Sequence, residues 1–264
     1  MATSFPAGSA LRTLRPSTLA TLLCGLAISI FLFSVMQASE HERSVFDFER
    51  RVEARLAAVT SSFDGAADAM LATNLLFSST RGVRDEQFEK FAAPLIKSHP
   101  YIKALVFYRF VEDGRRGEYE SRRAMQWPGY RIRDRSGPEY RVAAQRPLYL
   151  ALDMILPLPR EHVAHGYDIW AFPPHRALAE RTLGSTHYTT SGLIPLIEPR
   201  NGHGVVIALP VRSPAPRAGA GPEGVLGVTE VVIDVAGLIE QNLRRANFLR
   251  HPGIELAVFG QADG

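Results

Sequence analysis

Between Leu19 and Met36 the chain reads LATLLCGLAISIFLFSVM, with no charged residue. At 1.5 Å of rise per residue such a helix has about the minimum length that crosses the hydrocarbon core of a bilayer. Arg12 and Arg15 precede the run without any acid, and Glu40, His41, Glu42 and Arg43 follow it. The positive-inside rule then predicts a cytoplasmic N-terminus (1–18), one span (19–36), and everything beyond Met36 outside the cell. A cleaved secretory signal is the rival reading, since it also combines a basic start with an apolar middle. The length of the run and the exit Val35-Met36-Gln37-Ala38, which lacks small residues at both positions a peptidase reads, favour a retained anchor. Either way the rest of the chain is exported.

Past the anchor the periodicity becomes helical. Residues 40–80 contain no proline and one glycine, Gly65. Val45, Val52, Val59 and Ala66 recur at intervals of seven, with Leu56, Phe63 and Met70 as a second series on the same stripe. This predicts a stalk helix within 37–84, its stripe packing on the body of its own domain or, nearer the membrane, on a second copy. Asp85 reads as the N-cap of a further helix ending before Pro100. Tyr101–Phe110 is β-branched and aromatic and predicts a strand. Asp113 opens a short helix carrying Arg122 and Arg123 on its wet face, and 128–147 reads as loop. LYLALDMIL (148–156) predicts a buried strand interrupted by one carboxylate. Pro173 and Pro174 start a helix that Gly184 ends. Strands are expected at Leu193–Ile197, Gly204–Val211 and Gly224–Ile233, with a turn at Asn201-Gly202 and a flexible loop over 213–224. A helix over Leu238–Phe248 and a strand over Ile254–Phe259 close an α+β pattern.

Composition narrows the function. An apolar fraction of 46% and a charged fraction of 22% are those of a globular protein. The net charge of +3 is spread over scattered arginines, a poor footprint for nucleic acid. The single cysteine, Cys24, lies in the apolar run, so the exported part has neither disulfide nor thiolate site. The signatures G-x-S-x-G, H-E-x-x-H, the P-loop and the dinucleotide fingerprint are all absent. His162, His165 and Asp168 are spaced by three, but Gly166 interrupts any helix that would gather them, so no metal and no cofactor is expected. Asp168 reads instead as a cap before the Pro173 helix.

One carboxylate stands out. Alternation along the 148–156 strand puts Tyr149, Ala151, Asp153 and Ile155 on one side, a small residue between an aromatic and an acid. That arrangement makes a recess with a polar floor, the usual construction of a small-molecule pocket. A buried carboxylate needs a partner. A nearby arginine, a backbone amide or a ligand N–H would each serve.

The order of FAAPLIKSHPYIKALVFY (91–108), YRIRDR (130–135), HGYDIWAFPPHRALAE (165–180), SGLIPLIE (191–198), GVVIALPV (204–211) and GVLGVTEVVID (224–234) resembles a CHASE domain, the extracellular sensing module of cyclase- and histidine-kinase-type receptors. The chain departs from the family pattern at Phe107 and Tyr108, where a tryptophan is common, and in a longer stretch between Gly184 and Ser191. The resemblance runs through most of 85–260 and leaves 261–264 as a tail toward a second span. It implies a stalk helix followed by tandem PAS-like antiparallel-sheet subdomains, a homodimer, and a small-molecule or peptide ligand in the membrane-distal subdomain. It also implies that Asp153 sits where plant cytokinin receptors hold a purine, that Leu178 walls that pocket, and that Thr190 or Ser191 faces it; Tyr149 and Ala151 complete the candidate set. The expected function is the extracytoplasmic sensor part of a receptor in the inner (plasma) membrane, of histidine-kinase (two-component) or diguanylate-cyclase type, with no catalytic centre and its output domain elsewhere. A membrane-tethered binding protein without output is the alternative, and an exported hydrolase is a third reading.

Overall fold

The computed structural model describes residues 16–136, 139–157, 165–195, 203–213 and 224–245. The expected Asn201-Gly202 turn, most of the 213–224 loop, the 254–259 strand and His162 lie outside them. Two compact units divide the chain, Met1–Leu56 and Ala57–Gly264. In the first, α1 (Pro16–Ser79) begins immediately after Arg15, and the side chains of 20–34 are exposed. Among the described residues no helix is long and apolar enough to cross a membrane. The span expected over 19–36 therefore rests on the sequence pattern.

The second unit is built on one sheet. After α2 (Asp85–Ser98) come β1 (Ile102–Glu112), α3 (Asp113–Ala124), the hairpin β2 (Arg133–Ser136) and β3 (Glu139–Val142), and β4 (Leu148–Leu156). A 3-10 turn (Ile169–Ala171), α4 (Pro173–Leu183), β5 (Thr189–Thr190), β6 (Ile194–Pro195), β7 (His203–Arg212), β8 (Val225–Asp234) and α5 (Val235–Arg245) follow. The main sheet runs β4-β1-β8-β7-β5, with β6 also on β7, and every ladder is antiparallel. This is the expected α+β class. Where the resemblance implies two PAS-like sheets in tandem, the described residues form this six-stranded sheet and the separate two-stranded hairpin.

Each face of the sheet carries its own core. On the first, Ala66, Met70 and Phe77 of α1 and Phe88 of α2 pack on Leu105, Phe107, Ile207 and Val231. The small residues of α1 let it lie close, and Phe77 stacks on Phe107 with ring centroids 3.9 Å apart. Asn74 fixes the helix in register, donating through Nδ2 to the Thr229 hydroxyl (3.0 Å) and the Pro210 carbonyl (3.2 Å). Val59, Phe63, Ala66 and Met70 thus behave as the stripe predicts, whereas Leu56 is 63% exposed. On the second face Val106, Tyr108, Leu150, Leu152, Ala208 and Val228 meet α4 through Leu178 and Ala179.

Four local expectations need correction. Asp85 occupies the first helical position, after the cap residue Arg84, because its carboxylate is bound elsewhere. Arg123 is buried, not wet, since it ties α3 to two carboxylates. Residues 133–136 and 139–142 are paired strands rather than loop, held by the ladder from Arg133–Val142 to Ser136–Glu139. Finally, a bulge interrupts the β1–β4 pairing: Phe107 opposes Met154 but Tyr108 opposes Leu152, leaving Asp153 as the extra residue. Tyr149, Ala151 and Asp153 therefore share the first face, while Ile155 shifts to the second and joins the Leu150 and Leu152 layer.

Candidate functional site

The bulge aims Asp153 into the angle between α2, α3 and β4. Its carboxylate is 2% exposed and fully engaged. Arg109 Nε donates to Oδ2 at 2.6 Å and the Tyr119 hydroxyl to Oδ1 at 2.8 Å, while Arg123 Nε lies 3.4 Å from Oδ1. Arg109 belongs to β1, one strand over, and points the same way because it sits two residues beyond Phe107. Burial by itself would raise the Asp153 carboxyl, but the Arg109 and Arg123 charges and the two hydrogen bonds hold it below its ordinary value. Burial, and then the Asp153 charge, push the Tyr119 phenol well up, so it remains a donor. Of the three partners open to Asp153 from the sequence, the arginine is the one found.

Arg123 extends the network. Its Nη1 donates to Asp85 Oδ1 (2.8 Å) and its Nη2 to the Asp153 carbonyl (2.6 Å), joining α2, α3 and β4 through one guanidinium. Trp127 Nε1 donates to the other Asp85 oxygen at 3.1 Å, and the indole stacks on His165 at 4.3 Å. These groups border a partly open cavity of about 210 Å³ lined by Asp85, Phe88, Arg123, Trp127, Asp153 and Met154, with Glu86, Glu89 and His165 among its other walls. An apolar wall with a few fixed charges is the composition of a small-ligand site.

Other candidate residues are distributed more widely. Tyr149 is buried beside α3, its hydroxyl donating to Asp113 Oδ1 (2.9 Å) and accepting from Arg116 Nη1 (3.0 Å) and the Arg146 amide (3.1 Å). Ala151 packs in the same cluster. Leu178 lies in the core of the opposite face. Thr190 and Ser191 belong to the β5 end of the sheet, where the Ser191 hydroxyl accepts from the Val206 amide (2.9 Å) and donates to the Gly192 carbonyl (2.7 Å). In the strand order β4-β1-β8-β7-β5, four spacings of ~4.8 Å put roughly 19 Å between the two groups. The fold gathers Tyr149, Ala151 and Asp153 on one face and does not bring Leu178, Thr190 or Ser191 to them.

Asp168 is fully buried and structural in its contacts. Its carboxylate accepts from the Leu150 amide (3.1 Å) and the Trp170 amide (3.2 Å) and pairs with Arg146 at 3.1 Å. Burial raises it to about 6 despite those bonds. It caps the 3-10 turn that leads into α4, close to the expected role. Among the described residues no three His, Cys, Asp or Glu side chains are grouped to hold a metal ion. Sequence reading missed Arg109, Tyr119 and Trp127, and weighed His165 only as a metal ligand. An arginine between Tyr108 and Phe110 in an apolar strand was the available signal for the first, since a cation there requires a buried counter-charge.

A family model of the CHASE domain matches residues 81–264. No curated protein matches the chain.

Proposed function

The chain belongs to the CHASE domain family, and from that membership we propose that it is the extracytoplasmic ligand-sensing part of a transmembrane receptor. CHASE is a sensor domain rather than a catalytic one. In this reading residues 19–36 anchor the chain in the inner membrane, and a histidine-kinase or diguanylate-cyclase output receives the signal. The exposure of Leu22, Phe31 and Phe33, each by about two-thirds, supports the anchor, because a run of bare apolar side chains seeks lipid or a partner.

The partly open cavity at Asp85, Phe88, Arg123 and Trp127 is the observation that carries the proposal. Its size suits a small metabolite, being below the ~300–1,000 Å³ of drug-sized sites. Asp153 serves it by holding Arg123 and Tyr119, and ligand contacts fall to Phe88, Trp127 and Met154. A route to α1 is built in. Phe88 lies 5.6 Å from Phe77, and Phe77 stacks on Phe107 at 3.9 Å. A ligand that favours one setting of Phe88 shifts the population of two arrangements of α1 against the sheet, which is the whole of what a sensor must do.

The test is a thermal-shift screen of the full chain in lipid nanodiscs against purines, amino acids, short peptides and metabolites. A hit whose shift disappears in Trp127→Ala supports the cavity. If every hit survives that substitution, the site is elsewhere. A reporter active only outside the cytosol, fused after Gly264, tests the topology, and a silent reporter would refute it.

A further inference from the structure

The second face of the sheet contains a polar group that the cavity does not use. β8 carries Glu230 into the apolar layer beneath α4, opposite Val106 of β1 and Ala208 of β7, and leaves it 1% exposed. The Tyr108 hydroxyl shares a hydrogen bond with it. Two more phenols interact with this pair, Tyr167 before the 3-10 turn and Tyr140 on β3. The Tyr140 and Tyr167 rings pack edge to face at 87°, with centroids 6.1 Å apart. Glu230 Oε1 and the Tyr167 hydroxyl, 1% and 0% exposed as residues, have no hydrogen-bond partner. Natural proteins retain few such groups, and each calls for an explanation: a strained site, a chemical role, or a bound water or ion. Tyr140 is only half-buried, so the hairpin is the side nearest solvent.

We propose that Glu230, Tyr108, Tyr140 and Tyr167 form a recognition site for a small organic cation, an ammonium or amidinium group. A carboxylate supplies the counter-charge and an acceptor, and the three phenols beside it add hydroxyl oxygens and ring electrons that attract a cation. Arg135, whose charge reaches Tyr167, lies over Phe172 at 5.8 Å and bounds the site on the α4 side. Burial, opposed only by the Tyr108 hydrogen bond, raises the Glu230 carboxyl to about 8. At neutral pH it is therefore a neutral acid and must ionise when a cation arrives. The carboxylic acid and the ammonium become a carboxylate–ammonium pair, and one proton leaves for solvent. Affinity then climbs roughly tenfold per pH step while the pH stays below about 8. This site is separate from the Trp127 cavity and does not depend on it.

Titration calorimetry on the full chain in nanodiscs, with putrescine, agmatine, ethanolamine and choline in two buffers of different ionisation heat, tests the proposal. At least one of these amines binds, with close to one proton released and the stated pH dependence. Glu230→Gln, its folding verified by a thermal melt, abolishes both the binding and the proton release. Tyr167→Phe, which keeps the ring and deletes the lone hydroxyl, retains the proton release. Binding by none of the four, equal binding in Glu230→Gln, or binding without proton release overturns the proposal.

Discussion

Replacing Glu230 by glutamine should stabilise the protein at neutral pH and flatten its stability profile. The carboxyl titrates at 4.5 in the unfolded chain and at about 8 when buried between β1 and β7. Between those values the unfolded state has lost the proton and the folded state keeps it, so stability falls as pH rises. The contribution is intact below 4.5 and has been lost in full once the pH passes about 8. Each pH step costs about 1.4 kcal/mol, which amounts to roughly 3 kcal/mol by pH 7. Glutamine has the same shape and no ionisation, but its amide brings donors into an apolar layer at a cost of about 1 kcal/mol. The net gain at pH 7 is about 2 kcal/mol, or roughly 4–8 °C for a domain of this size. Thermal melts of both proteins at pH 5, 7 and 9 provide the measurement. The curves should nearly coincide at pH 5, separate as the pH rises to about 8, and run parallel beyond it. Curves parallel over the whole range would mean that Glu230 is ionised in the fold, and the reasoning would fail.

Other substitutions probe the first face. Asp153→Ala strips Arg109 and Arg123 of the carboxylate they share, and should cost about 3–5 kcal/mol in a urea unfolding measurement; a loss below 1 kcal/mol would show that the pairs do not hold the fold. Phe77→Ala opens the stack on Phe107 and should lower stability by about 3–5 kcal/mol while making any ligand-induced change in α1, read by a spin label, smaller. Gly227→Ala should prevent folding, since a Cβ there would lie 1.9 Å from the Tyr108 carbonyl across the β1–β8 ladder; soluble, cooperatively melting protein would contradict that. His175 is nearly buried, and burial, followed by the Arg135 charge, lowers it to about 4. The unfolded imidazole takes its proton at 6.5, so stability is lost as pH falls from there toward 4, and His175→Phe should remove that acid-side slope in the same melts.

Periodicity made the long elements legible. The 148–156 strand, the 173–183 helix with its paired prolines and closing glycine, and the stripe from Val59 to Met70 all follow from spacing alone. What escaped was non-local. The bulge at Asp153 depends on how β4 pairs with β1, and it alone decides that Ile155 leaves the face that Tyr149 and Ala151 share. Arg123 reads as exposed in a helix with charges on every side, and only tertiary packing delivers two carboxylates to it. The β2–β3 hairpin lies among prolines, glycines and arginines that outweigh its short alternating pattern. Glu230 was hidden for a different reason: its burial comes from β8 having a neighbour on each side and a core on each face, which pairing alone decides.

The two faces differ in what they leave unfinished, and this difference bears on how a signal would arise. On the first face Asp153, Arg123, Asp85 and Trp127 bind one another and leave Arg123 Nε as the atom without a hydrogen bond, so ligand entry there adds contacts to a braced frame and moves chiefly Phe88. On the second face Glu230 and Tyr167 hold polar atoms with no partner, so a cation there completes a network and should tighten α4 against the sheet. β1 is common to both, since Phe107 meets α1 on one side while Tyr108 meets Glu230 on the other. If the faces communicate, amine binding and cavity occupancy must shift each other's affinity by the same factor, because coupling between equilibria is reciprocal. Measuring each affinity with and without the other ligand decides the matter. Equal and independent affinities would mean two sites on a rigid sheet, with only the Phe88 side in touch with α1.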